Sequence, residues 1–133
     1  MIALEIIGGT RKEKRLAEDA FWFALKHLMP RKRNLEVEIY IKNLPEHEGN
    51  QVMVDKGFHE IELRRGMAAE NIITSLFHEM VHVRQSERGE YMDFSLPYLE
   101  RPFEIEAYKL QESMFEKYKY SYSNQHSSWK HGI

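Results

Sequence analysis

The sequence predicts an α+β fold in a single domain. Three observations carry this: a β-branched apolar run at 2–7, a strictly alternating run at 35–41, and a long apolar stretch at 67–88 without Gly or Pro. A length of 133 residues fits one domain, and a 42% hydrophobic share with 7 Phe, 7 Tyr and 2 Trp suffices for a small core.

Taken in order, residues 2–7 read as a short strand that Gly8-Gly9 breaks. Thr10 with Glu13 three residues on is a capping-box pattern. The helix it opens runs to about Leu28, with Leu16, Ala20, Phe23, Ala24 and His27 on one side and Pro30 as its stop. Residues 35–41 alternate and form the clearest strand. Pro45 and Gly49 mark a loop at 44–50. Strands at 51–54 and 58–64 flank Asp55-Lys56-Gly57, which suits a hairpin turn. A helix over about 67–86 ends at Gly89, and 90–101 is irregular. Pro102 suits the first turn of a last helix reaching about Tyr118. The domain is thus expected to span 1–118, with 119–133 a polar tail, loosely structured or docked as coil.

The helix at 67–86 carries His78-Glu79-Met80-Val81-His82. Histidines four apart lie one above the other on a helix, so both imidazoles can reach one metal ion. Glu79 points to a neighbouring part of the surface, within reach of a water held by that ion. Apolar neighbours such as Ile73, Leu76, Phe77 and Met80 imply burial. Buried imidazoles and a carboxylate cost solvation unless they are hydrogen-bonded or metal-bound.

A catalytic zinc site needs a third protein ligand and a position left open for water. Glu87 and Glu90 are too close in sequence to fold back onto their own helix, and His126 and His131 lie in the tail. The segment 101–108 is better, because a second helix can pack an acidic residue against the first. Phe103, Ala107, Leu110, Met114 and Tyr118 define its apolar stripe. At about 100° per residue, Glu104 sits roughly 55° from the stripe's centre and Glu106 roughly 105°. Glu104 is therefore the expected ligand, beside His78 and His82, and Glu106 is expected to face solvent.

Residues 78–82 together with Glu104-Ile105-Glu106-Ala107 resemble the zincin metallopeptidases of the gluzincin type, including ImmA/IrrE-like proteins and the compact phage or bacterial minigluzincins. The resemblance covers roughly 35–118. It implies a small zincin-like domain: an N-terminal helix, a short mixed or antiparallel sheet, an active-site helix and a C-terminal glutamate helix. It also implies the first glutamate, Glu104, as ligand. One departure stands out. The position four after Glu104, often Asp or Asn in gluzincins, is Tyr108, whose phenol is a weaker hydrogen-bond acceptor for a ligand histidine.

The expected function is zinc-dependent peptide hydrolysis. Zn²⁺ sits on His78, His82 and Glu104, and Glu79 acts as general base. Tyr91, Tyr98, Tyr108, His126 and His131 are candidates to stabilise the developing oxyanion. A peptide or protein substrate is expected to add to a sheet edge, for which 58–64 is the candidate, with His59 an exposed strand residue. Trp129 and the His-bearing tail are candidates to fold over the cleft and block it. The alternative is a metal-binding regulator or interaction module on the same scaffold.

Composition excludes other classes. A net charge of −2 gives no electrostatic case for nucleic acid, and the basic clusters at 11–15 and 31–33 read as solvated helix ends. Without cysteine there are no disulfides and no thiolate zinc sites. No signal-peptide pattern and no membrane-length apolar run is present, so a cytoplasmic location is expected.

Overall fold

The computed structural model describes residues 1–125, with side chains to 121. The order is β1 (Ile2–Gly8), α1 (Arg11–Leu28), β2 (Leu35–Lys42), β3 (Gly49–Asp55), β4 (Phe58–Arg64), α2 (Ala69–Glu87), a 3-10 turn (Tyr98–Glu100) and α3 (Pro102–Gln125). The four strands form one sheet in the order β1-β2-β4-β3. β1, β2 and β4 run parallel, and β3 lies antiparallel to β4 with a bulge between Met53 and Asp55. This is the α+β class that the sequence predicts. No helix among the described residues is long and apolar enough to cross a membrane.

Alternation in β2 sorts the sheet into two faces. Leu35, Val37, Ile39 and Ile41 are buried under the helices, while Glu36, Glu38 and Tyr40 face outward. α1 starts as its capping box dictates. Thr10 Oγ1 accepts from the Glu13 amide at 3.1 Å, and Glu13 Oε1 accepts from the Thr10 amide at 2.9 Å. The second oxygen of Glu13 also accepts from Gly66 N at 2.7 Å, so the cap ties α1 to the end of β4. The buried face of α1 is Ala17, Ala20, Phe21, Ala24, Leu25 and Leu28. It is turned from the expected one: Leu16 and Phe23 are half-buried and His27 is exposed.

α2 is the central helix. Every residue from Leu76 to Val83 is buried, because the sheet, α1 and α3 cover it from different sides. Phe77 on α2 meets Phe23 on α1 and Tyr118 on α3 at ring separations of 5.7 and 5.6 Å, and this aromatic knot locks the three helices under the site.

Three expectations need correction. β4 is an inner strand, paired with β2 and β3, so the free edge near α2 belongs to β3. His59 is fully buried, because its strand is central and its side chain faces α2. Gln51 Nε2 donates to His59 Nδ1 at 2.9 Å, and His59 Nε2–H donates to Glu87 Oε2 at 2.7 Å. Finally, α3 does not stop near Tyr118 but continues to Gln125, so the expected tail begins as helix. A helix already propagating against α2 tolerates Ser and Asn, whose penalties are only a few tenths of a kcal/mol each. The rest of the tail, with His126, Trp129 and His131, lies outside the described residues.

Glu87 gathers two further donors. Lys32 Nζ donates to its Oε1 at 2.5 Å, and the Gly57 amide donates to Oε2 at 3.1 Å. Burial opposes its ionisation, but the hydrogen bonds from Lys32 and His59 outweigh it and hold the carboxyl below the usual range. Glu87→Ala strands three donors and is expected to cost about 3 kcal/mol in denaturant unfolding. Because the folded pKa is lowered, the stabilisation is full above the ordinary value of 4.5 and fades as pH falls through the folded value. Glu87→Gln should therefore be less sensitive than wild type to acid below that point.

Candidate metal centre

His78 and His82 sit one turn apart on α2, and Glu104 sits in the first turn of α3. The two helices run antiparallel: His78 meets Gln111, His82 meets Glu104, and Gln85 meets Phe103. That packing brings Glu104 Oε1 to 2.8 Å from His78 Nε2 and 3.0 Å from His82 Nε2. The two Nε2 atoms are themselves 3.2 Å apart. All three residues are buried, with 6–8% of their surface exposed.

The outer ring nitrogens show what these atoms are. Gln85 Nε2 donates to Phe103 O and to Glu106 Oε1, both at 2.9 Å, which fixes its amide orientation. Its Oε1 must then accept, so His82 Nδ1 carries a proton and donates to it at 2.7 Å. His78 Nδ1 likewise lies 2.8 Å from Gln111 Oε1. Nε2 of both imidazoles thus faces one carboxylate oxygen: in the metal-free chain a proton on Nε2 bonds Glu104, and a metal ion would take that proton's place. Such an arrangement needs a cation among its members. A tetrahedral ion with bonds of 2.0–2.1 Å keeps its ligand atoms about 3.3 Å apart. The observed separations come within about half an ångström of that, so small outward shifts admit a metal. The buried His78, His82 and Glu104 group can hold one ion.

Electrostatics point the same way. Burial opposes ionisation of Glu104, but the hydrogen bonds with His78 and His82 prevail and hold its carboxyl down at about 2. Burial also opposes protonation of His82, yet Glu104 and Gln85 draw it upward. The cluster therefore attracts positive charge.

Glu79 is buried beside the cluster, and no hydrogen bond reaches its carboxylate from the described residues. Burial pushes it up to about 7 in the metal-free chain. It lies against β3: a Cβ on Gly49 would stand 3.2 Å from Glu79 Oε2 and 3.1 Å from Glu62 O, so a side chain there would press on the carboxylate by a few tenths of an ångström. Glu79 and the three clustered residues open onto a cleft of about 1140 Å³, with β3 on one wall and α3 on another.

The departure at Tyr108 resolves differently from the expectation. Its phenol does not bond an imidazole but lies 3.1 Å from Tyr98 OH, and its ring packs on His78 at 4.5 Å. Gln111 and Gln85 hold the histidines instead. Helical spacing carried a signal for both: Gln111 is seven residues after Glu104 and Gln85 three after His82, each on its partner's face. Tyr98 OH donates to Glu104 Oε1 at 3.3 Å. Burial, Tyr108 and Glu104 all push the Tyr98 phenol upward, so it stays a donor. Tyr91 is 85% exposed and does not line the cleft. Glu106 is half-buried rather than solvated, held by Gln85 and, at 3.7 Å, by Arg84. Glu87 and Glu90 lie outside the cluster.

Cobalt(II) should titrate to one ion per chain with visible bands of a four-coordinate ion, and affinity should fall as pH drops because protons compete for Nε2. His82→Ala should abolish the bands. Retained bands would place the ion elsewhere. No protein-family model, curated protein or solved structure matches the chain.

Proposed function

We propose that the chain is a zinc-dependent metallopeptidase. One observation carries this: a buried His-His-Glu group lies beside a buried, unbonded glutamate at the floor of a cleft edged by a free strand. Two imidazoles and one carboxylate are a ligand set zinc takes in hydrolases, with a position left for water. When bound, zinc supplies Lewis acidity, acidifying water and polarising a carbonyl.

The chain's own residues do the rest. Gln85 and Gln111 offer acceptors to the Nδ1 atoms, so His78 and His82 can present Nε2 to a metal ion. Glu79 accepts a proton from the attacking water and returns it to the leaving amine. No hydrogen bond from the described residues reaches it, which leaves its oxygens available for that exchange. Tyr98, with Tyr108 behind it, offers an O–H to the charge that develops on the substrate carbonyl oxygen. A substrate in extended form pairs with the outer edge of β3, which passes Glu79 at Gly49.

Elemental analysis of the purified chain is expected to give one zinc per molecule. Glu79→Gln should keep the metal and lower peptide-library cleavage by roughly a thousandfold. Zinc retained with no cleavage by wild type would make this a metal-binding regulator instead of a hydrolase.

A further inference from the structure

The cleft is predominantly acidic. Glu46, Glu48, Glu70, Glu112 and Glu116 line it outside the metal group, and Arg64 is the one Lys or Arg among its described lining residues. The chain as a whole is nearly balanced, with 19 basic and 21 acidic residues, so this acidity is segregated. Arg64 keeps its charge, with its Nε donating to Leu44 O at 2.8 Å, and five glutamates outnumber it. Glu116 pairs with Lys119 at 3.0 Å, whereas the other four glutamates form no salt bridge among the described residues.

These carboxylates share one end of the cleft. Glu70 is in the first turn of α2, and Glu48 accepts from Ser75 Oγ, one turn before His78. α3 runs antiparallel to α2, so Glu112 and Glu116, which follow Gln111, point back toward the same end. The other end is aromatic: Phe103 lies 5.9 Å from the His82 ring, Phe94 lies 5.0 Å from Phe103, and Tyr98 adjoins them. A like-charged cleft with low-dielectric walls focuses its field and concentrates ligands of opposite sign. The acidic end does not stand alone as evidence of a ligand. Glu79, 6% exposed and without a hydrogen-bond partner among the described residues, opens into the same space.

We propose that the cleft takes an extended peptide segment bearing Lys or Arg, with the basic residues lying toward the N-terminal end of α2 and uncharged or aromatic residues toward the 3-10 turn. This rests on the peptidase reading and names its substrate class. Backbone pairing along β3 sets the direction of the segment, and the four unbridged glutamates choose its charge.

The test uses the full chain as Glu79→Gln, loaded with zinc, and short labelled peptides in which Ala alternates with Lys, Gln or Glu. Fluorescence anisotropy at low salt is expected to show the Lys peptide binding about tenfold tighter than the Gln peptide, with the Glu peptide weakest. The preference should shrink as salt rises. Adding Glu70→Gln and Glu112→Gln, both on exposed side chains, should remove most of it while zinc content and the thermal midpoint hold. Equal binding of the three peptides, or a preference the double substitution leaves intact, would overturn the proposal. Digestion by wild type separates the two readings. A Lys peptide bound but never cut sinks the peptidase and leaves a basic-peptide site. Equal cleavage of Gln and Lys peptides sinks the charge preference and leaves the peptidase.

Discussion

Two imidazole Nε2 atoms and a carboxylate oxygen crowd together in the interior, and the rest of the structure depends on that convergence. Without a proton or a metal ion shared among them it is unfavourable, since three acceptors would face one another at 2.8–3.2 Å. The helix pair is built to hold it anyway. Gln85, fully buried, bonds His82 with one end of its amide and the first turn of α3 with the other. A single side chain thus sets the tautomer of one candidate ligand and the position of the backbone that presents another. The Phe23–Phe77–Tyr118 knot packs α1 and α3 against α2 at the residue preceding His78.

The sheet contributes position, not ligands. Its order leaves β3 outermost, against α2 and beside Glu79. The β3–β4 hairpin is held to the C-terminal end of α2 by the buried chain Gln51–His59–Glu87, extended to Lys32. That network does not touch the metal group. It fixes the strand that forms the cleft wall, so stability and site geometry are coupled through it.

Much of this was legible in the residues. The strands, the Thr10–Glu13 cap and the central helix follow from period and capping chemistry, which are local. Glu104 could be separated from Glu106 because a helical stripe has a direction, and the buried position of Glu104 agrees with that reading. What was hidden depends on strand order. Alternation cannot say whether 58–64 is an edge, so the residues alone leave β4 as the candidate free edge and put His59 in solvent. Tyr108 misled for a different reason: the family pattern fixes attention on one position, whereas a glutamine amide one turn further along can reach the same Nδ1. The end of α3 was missed because polar composition says little about a helix that tertiary packing has already nucleated.

If His78, His82 and Glu104 together hold one zinc ion, anomalous diffraction at the zinc edge from crystals of the zinc-loaded chain should show a single peak about 2.0–2.1 Å from both Nε2 atoms and within about 2.2 Å of a Glu104 oxygen. A peak elsewhere, or none with the three side chains still in mutual hydrogen-bond contact, would contradict that assignment.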